Sequence, residues 1–288
     1  MGQETEGGPR MGWSEEVDLL VVACAAGANA LRKWLSNSSY HGELMRKNDG
    51  SASVQGEKDS QAAIKKEIRL WWGEDCSFIR EEEDGEASSK DSENVFVVDP
   101  LDGTTNFVLH ARIEEVSPNC SISIAKANND GVVVAGVVFE LRTSNLYIAE
   151  RGVGAWKIEN GWPRKLSLKS EISMRDAVLA LECNWTDSDS QLKYQRWKQA
   201  IEPPLSMRLR MEECAALQMC RVAEGAGLDG YLHPTDAPWD MCAGGLIVQE
   251  AGGIVFSPGR DDWKPLEYRG VVCLAPSLAD DVKRFLGE

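Results

Sequence analysis

A chain of 288 residues and 31.7 kDa is long enough for one large domain or two ordinary ones around a substantial core. Its 31 Lys and Arg against 46 Asp and Glu leave a net charge of -15, which excludes general electrostatic attraction to nucleic acid or to an anionic membrane. Eight cysteines, none spaced as CxxC, and three scattered histidines (His41, His110 and His233) exclude a disulfide scaffold, a structural zinc site and HExxH chemistry. Any metal must be held mainly by oxygen.

In chain order, Ser14 is the N-cap candidate for a first helix with Val17, Leu20, Val21, Cys24 and Leu31 on one face, ending before 36–39. The apolar run 19–26 is far shorter than the roughly 20 residues of a membrane span, and no basic leader precedes it. Neither a signal peptide nor a membrane anchor is expected, and the implied location is cytoplasmic. A second helix is predicted over 58–72, with Ile64, Ile68, Trp71 and Trp72 on a buried stripe and Gly73 as its stop. A short strand follows over 95–98, delivering Asp99 at its end, with Pro100 closing it. Residues 121–155 alternate β-branched and turn residues as an antiparallel meander, with a tight turn at 128–131.

From about 169 the pattern changes to alternating strands and helices: strand 177–181, helix 190–201, helix 214–223, strand 229–232, helix 236–251, strand 271–274 and a last helix from 277. The division is therefore an α+β half, 1–168, and an α/β half, 169–288, tightly joined because no Pro, Gly or Ser-rich linker separates them.

Two segments concentrate unusual chemistry. In Asp99-Pro100-Leu101-Asp102-Gly103-Thr104-Thr105-Asn106, two carboxylates sit three apart after a buried strand. An Asp-rich turn with Asp102 and Thr105 capping a helix is one reading. In the other, Asp99, the Leu101 carbonyl and Asp102 converge as hard oxygen ligands suited to Mg²⁺, and the amides of Gly103 and Thr104 face a phosphate at a helix start. An EF-hand does not fit, since Leu101 and His110 stand where oxygen ligands are needed. The second segment, 236–253, reads as a helix with Asp236 as N-cap, Pro238 in the first turn and Gly252 at its end. There Asp240 either complements the helix dipole or serves a site. Gly225-Ala226-Gly227-Leu228-Asp229-Gly230 spells GxGxxG, but it ends a helix and enters a strand, the reverse of a dinucleotide fingerprint.

DPLDGTTNF (99–107) and WDMCAGGLIVQEAGG (239–253), in that order, resemble the two defining motifs of the inositol monophosphatase family, the lithium-sensitive, Mg²⁺-dependent phosphatases. The likeness runs from about Lys47 to Ala275 and includes FIREEE (78–83), GVGAW (152–156) and CAALQMCRVAEG (214–225). It implies a layered αβαβα sandwich of the inositol monophosphatase and fructose-1,6-bisphosphatase type, usually dimeric, that hydrolyses small phosphate monoesters with two or three Mg²⁺ ions. By the same resemblance Glu81, Asp99, the Leu101 carbonyl, Asp102 and Asp240 are metal ligands and Glu82 is a supporting acid. Asp59 pairs with Thr104 to orient the attacking water. Asp102, Gly103, Thr104, Glu213, Ala215 and His233 fall on the substrate side.

The chain departs from the family mainly where the alcohol part of a substrate would lie. Ser53 replaces the first Asp of the element that ends at Asp59, and Arg80 replaces the Gly before the paired glutamates. Extra residues, among them Arg112, Glu114 and Glu115, stand between Asn106 and Ser123. His233 aligns with the family's inositol-contacting Glu, and Glu213 and Cys214 replace a small Gly-Ser or Gly-Thr pair. The expected function is a phosphomonoesterase with inositol monophosphate as default substrate and a small phosphorylated metabolite as partner, without nucleic acid polymer or membrane. A 3′(2′),5′-bisphosphate nucleotidase or a sugar or histidinol phosphatase on the same fold is the alternative. A non-catalytic metal- and phosphate-binding regulatory module is the alternative of another class.

Overall fold

The computed structural model describes residues 12–36, 45–46, 52–81, 94–112, 119–168, 171–202 and 205–287. Helix α1 (Glu15–Ser36) begins directly after Ser14, and the apolar period buries Val17, Leu20, Cys24 and Leu31. A two-stranded antiparallel ribbon, β1 (Met45–Arg46) with β2 (Ala52–Ser53), leads into α2 (Gln55–Trp72). This helix starts three residues before the predicted 58, which brings Glu57 into its first turn. Glu57, Ser60, Gln61, Ile64 and Ile68 form one buried stripe. Asp59, two residues or about 200° round the helix from Glu57, faces solvent. Trp71 is also exposed, at 54%, so only Trp72 of the predicted aromatic pair packs inward, its ring 5.0 Å from that of Phe96.

The first sheet has seven strands in sequential order. β3 (Ser77–Arg80) and β4 (Val95–Asp102) are parallel. The antiparallel meander β5 (Ser121–Ala127), β6 (Val133–Glu140), β7 (Leu146–Glu150), β8 (Gly154–Glu159) and β9 (Trp162–Lys165) extends the sheet ten residues beyond the predicted end. Asn128 forms the tight turn between β5 and β6 by accepting the Asp130 and Val132 amides at 3.1 and 2.9 Å, and Gly131 supplies the positive φ of 74°. Alternation along the strands divides their side chains between two cores. Phe96, Val98, Ile122, Ile124, Val137 and Ile148 join the α1–α2 side, while Val97, Ala125, Val138, Tyr147 and Ala149 join the other.

The second sheet has the order β11-β10-β12-β14-β13, from β10 (Val178–Leu181), β11 (Arg208–Arg210), β12 (Gly230–His233), β13 (Ile254–Phe256) and β14 (Val271–Leu274). β10 is parallel to β11 and β12, and β14 is antiparallel to both its neighbours. Two helices fill the space between the sheets: α5 (Ala215–Glu224), and α6 (Pro238–Glu250), which packs on β4 to β8 and on β13 and β14. α6 is buried on every side from Met241 to Val248, as its run of small and apolar residues requires. α4 (Ser188–Ile201) and α7 (Ala279–Leu286) pack together and contribute Trp197, Ile201, Val282 and Leu286 to the same core. The layers therefore run helices, sheet, helices, sheet, helices.

Asp236 is not the N-cap of α6. Ala237 holds that position, and the Asp236 carboxylate instead accepts the Tyr231 hydroxyl at 3.3 Å. Gly252, at φ 95°, follows the C-cap Ala251 as predicted. The GxGxxG string closes α5 through Gly225 in the left-handed region and passes into β12. All eight cysteines are free thiols, seven of them buried. Among the described residues no helix is long and apolar enough to cross a membrane.

Candidate active site

The site begins with an irregularity in β4. Asp99 pairs with Ser123 and Asp102 with Ser121, so three steps along β4 match two along β5. In a regular strand residues three apart point to opposite faces, and the extra residue of a β-bulge brings Asp102 back to the side of Asp99. Pro100, which has no N–H to give to a ladder, sits inside this bulge. The proline therefore does not end the strand, which continues to Asp102. Ser60 on the buried stripe of α2 donates to the Pro100 carbonyl at 3.0 Å, and the Leu101 amide donates to Asp99 Oδ1 at 2.9 Å. Helix and bulge together hold Asp99 in place.

Carboxylate oxygens of Asp99, Asp102 and Asp240 all lie within 4.8 Å of one another. The parallel register sets Arg80 beside Val98, and one step further along the strand is Glu81. Glu81, Asp99, Asp102 and Asp240, with Leu101, Gly103, Thr104, Thr105 and Glu213, line a cavity of about 150 Å³. A larger concavity of about 630 Å³ along α2 has Glu74 as its one carboxylate among Lys65, Lys66 and Arg69, and brings no acidic group to a common point.

Burial pushes the Asp99 carboxyl well above its ordinary value, with Glu81, Asp102 and Glu57 adding like-charge repulsion. Burial does the same to Asp240, joined by Asp236, Asp99 and Glu81. Asp102 is pushed up to about 7, again mainly by burial, against the opposing pull of the Cys214 thiol and the Ala216 amide. Carboxylates this close cannot all ionise without a partner, and the group could hold a multivalent cation in that role. An all-oxygen donor set is the chemistry of a hard cation.

Three helix N-termini converge on the same point. α3 (Thr104–Arg112) starts beside Gly103, α6 carries Asp240 in its first turn, and the first amides of α5, from Ala215 and Ala216, donate to Asp102 at 3.1 and 2.9 Å. Such termini carry partial positive charge and unsatisfied N–H groups, which suits an anion. The Cys214 thiol at 3.1 Å and the Ser121 hydroxyl at 3.2 Å complete the donors around Asp102. Gly103 is required at its position: at φ 84°, a Cβ there would lie 2.8 Å from the Asn119 carbonyl oxygen and 3.1 Å from that of Glu213.

The structure thus gathers Glu81, Asp99, Leu101, Asp102, Gly103, Thr104, Glu213 and Asp240 around one cavity, and Ala215 joins through its amide. It does not bring Asp59 there. Asp59 is solvent-exposed and accepts a hydrogen bond from Gln55 at 3.0 Å, and the Thr104 hydroxyl donates to the Leu101 carbonyl, also at 3.0 Å. His233 is buried at the end of β12, where Nδ1 accepts the Thr235 amide at 3.2 Å, and it does not line the cavity. Arg80 is buried with its guanidinium 5.9 Å from the Phe78 ring centroid. Glu82, Glu114 and Glu115, and the side chain of Arg112, lie outside the described residues.

Sequence reasoning missed Glu57 and Glu182. Glu57 lies seven residues before Ile64 and eleven before Ile68, on the apolar stripe itself, so the helix period was the signal. Glu182 follows β10 and is buried; its carboxylate accepts the Glu212 and Glu213 amides at 2.9 and 2.7 Å and the Gln218 side chain at 2.5 Å. Nothing local to 182 announces partners thirty residues away.

Fold and cavity define an α/β protein with an oxygen-ligand centre for a metal ion beside a seat for an anion. A family description, "Inositol monophosphatase family", matches residues 15–284, and the chain belongs to that family. It is 34% identical over 207 residues to an inositol-1-monophosphatase of Rhizobium meliloti, covering 70% of this chain and 73% of that protein. It is 31% identical over 247 residues to the Nus factor SuhB of Vibrio cholerae, covering 85% and 86%. The crystal structure of the extragenic suppressor protein suhB from Bartonella henselae matches with a TM-score of 0.80 at 25% identity, covering 96% of this chain and 99% of that one. The layered sandwich expected from the motifs is the fold found.

Proposed function

We propose that this protein is a Mg²⁺-dependent phosphomonoesterase for a small phosphate ester, with inositol monophosphate as the default substrate. The observation that carries the reading is the meeting of four carboxylates and three helix N-termini at one cavity. Glu81, Asp99, the Leu101 carbonyl, Asp102 and Asp240 would hold two or three cations. When bound, these supply Lewis acidity that activates water and offsets charge on the ester oxygens. The protein's own contribution is orientation. The Asp102 oxygens are fixed by α5, and Asp99 by the Leu101 amide. The amides at the start of α3 receive the phosphate.

Glu57 takes the place assigned from sequence to Asp59, because it is the acid of the first turn of α2 whose charge bears on Asp99. As a proton acceptor it contributes about 10²-fold or more. Glu57→Gln is expected to lower kcat by that factor, and Asp59→Asn to leave it within about twofold. Equal effects in steady-state phosphate release would return the role to Asp59.

Cation binding should follow the carboxyls. Metal-free folded protein retains protons on Asp99, Asp102 and Asp240 that the unfolded chain has already released above about pH 4. Their contribution to stability is therefore full at low pH and is lost as pH rises, for Asp102 through about 7. Mg²⁺ displaces these protons, so its increment in Tm is expected to be larger at pH 8 than at pH 5, and EDTA should abolish it. A pH-independent increment in thermal melts would argue against binding at this cluster.

The relatives named as Nus factors favour a second reading, a regulatory module that keeps the metal and phosphate site without turnover. A Mg²⁺-supplemented panel of inositol phosphates, adenosine 3′,5′-bisphosphate, fructose 1,6-bisphosphate and histidinol phosphate separates the two. Metal-dependent release from one ester supports the phosphatase, and uniform absence of release supports the module. A lithium-sensitive homodimer in the cytoplasm belongs to the first reading. Light scattering at twice the chain mass and inhibition of phosphate release by Li⁺ test its two measurable parts.

A further inference from the structure

Glu213 is one of three residues other than glycine with positive φ among the described residues, at 52°. The other two, Ser144 and Asn160, sit in the hairpin turns β6–β7 and β8–β9, where short polar residues adopt this conformation readily. Glu213 has no such excuse. A residue with a Cβ carries steric strain there that glycine escapes, and the glutamate side chain forms no turn of its own.

The strained peptide is held from both sides. Its N–H donates to the buried Glu182 carboxylate at 2.7 Å, and its carbonyl oxygen lies 3.4 Å from Asn106 Nδ2 and close against Gly103. Asn106 also donates to the Asn119 and Glu212 carbonyls at 2.9 and 2.8 Å. Glu182 and Asn106 thus build a fixed ledge before α5, and the exposed Glu213 on it lines the cavity together with Thr104, Thr105 and the clustered carboxylates. No lysine or arginine is among the described residues that line this cavity. Asp99 and Asp102 are deep in the cavity and Glu213 is at its exposed side. The open side of the cavity, where an alcohol group would extend from a phosphate seated at the acidic cluster, is the side that Glu213 lines.

Resting on the phosphatase reading above, we infer that Glu213 selects the alcohol: it favours phosphate monoesters whose alcohol bears a positive charge, such as amino alcohols, and disfavours those bearing a second anion. A carboxylate about 6 Å from a unit charge in a half-solvated cavity shifts relative affinity by roughly three- to tenfold per charge. The bisphosphates and phospho-acids are the class it rejects.

The test is kcat/KM with saturating Mg²⁺ for phosphoethanolamine and histidinol phosphate, whose alcohol parts are cationic, for glycerol 2-phosphate, whose alcohol part is neutral, and for 3-phosphoglycerate, whose alcohol part is anionic. The wild type is compared with Glu213→Gln, Glu213→Gly and Glu213→Lys. The cation-to-anion ratio should exceed one in the wild type, fall about tenfold in the Gln and Gly variants and invert in the Lys variant. Glu213→Gly should also melt at a higher temperature, because it relieves the positive φ, so its loss of discrimination cannot be a loss of fold. An unchanged ratio in the Gln and Lys variants overturns the inference. So does a changed Mg²⁺ activation constant at constant ratio, which would make Glu213 a metal ligand. Absence of phosphate release from every ester by the wild type is a different failure: it removes the phosphatase reading, and the inference with it.

Discussion

Asp99→Asn is expected to abolish measurable turnover, by about 10³-fold or more, while the protein keeps its fold. The size follows from the Lewis acidity a cation supplies, worth several kcal/mol of barrier at about 1.4 kcal/mol per factor of ten. Asp99 shares the cavity with Glu81, Asp102 and Asp240 and feels the charge of Glu81 and Asp102, so its loss removes a carboxylate that bears on both. The structural cost is small. Asparagine keeps an oxygen for the Leu101 amide, which donates to Asp99 Oδ1 at 2.9 Å. Because burial and like charges hold the wild-type carboxyl well above its ordinary value, ionising it costs the metal-free protein stability as pH rises. The metal-free variant should therefore melt at or above the wild-type temperature at pH 8, and it should gain less from Mg²⁺. Mg²⁺-dependent phosphate release at wild-type rate in this variant would remove Asp99 from the site.

How much of this was legible in sequence depended on the range of the interaction. The DPLDGTT and WD segments stand out in the sequence because each packs its polar groups into a few consecutive residues, and the fold brings them to one cavity. Their grouping in space then follows from strand ends and helix starts. Pro100 reads as a strand end in the sequence, since a proline that stops a strand and one accommodated in a bulge look alike without the partner strand. The resemblance assigns the water-orienting role to Asp59, whereas α2 starts at Gln55 and its buried stripe carries Glu57 and leaves Asp59 exposed. Asp236 was expected to cap α6, but its carboxylate is claimed by Tyr231, a strand neighbour in space that competes with the local backbone. The ledge of Glu182 and Asn106 under Glu213 depends on pairings between residues 31 and 107 positions apart, which no short window along the chain contains.

Asp102, three residues from Asp99, should respond differently, because the carboxylate that joins the acidic cluster also accepts the first amides of α5. Its two oxygens take the Ala215 and Ala216 amides, the Cys214 thiol and the Ser121 hydroxyl, all buried. Asp102→Ala leaves the two amides at the N-terminus of α5 without acceptors. Loss of a cap costs about 0.5–2 kcal/mol and an orphaned buried donor about 1–3 kcal/mol. The variant should thus lose about 2–4 kcal/mol in addition to turnover, read as a fall in Tm on the order of 5–10 °C. The loss has a pH signature. With the wild-type carboxyl raised to about 7, its contribution to metal-free stability is full near pH 4 and declines through 7. The Tm gap between wild type and variant should therefore narrow as pH rises in EDTA. It should widen again when Mg²⁺ is added, because the cation then stabilises the wild type alone. Asp102→Asn, which keeps one acceptor for α5, should fall between the two in stability and match Asp102→Ala in lost activity. Should Asp102→Ala melt no lower than Asp99→Asn, the carboxylate would be a ligand without a capping role, and the α5 terminus would be held by the Glu182 ledge alone.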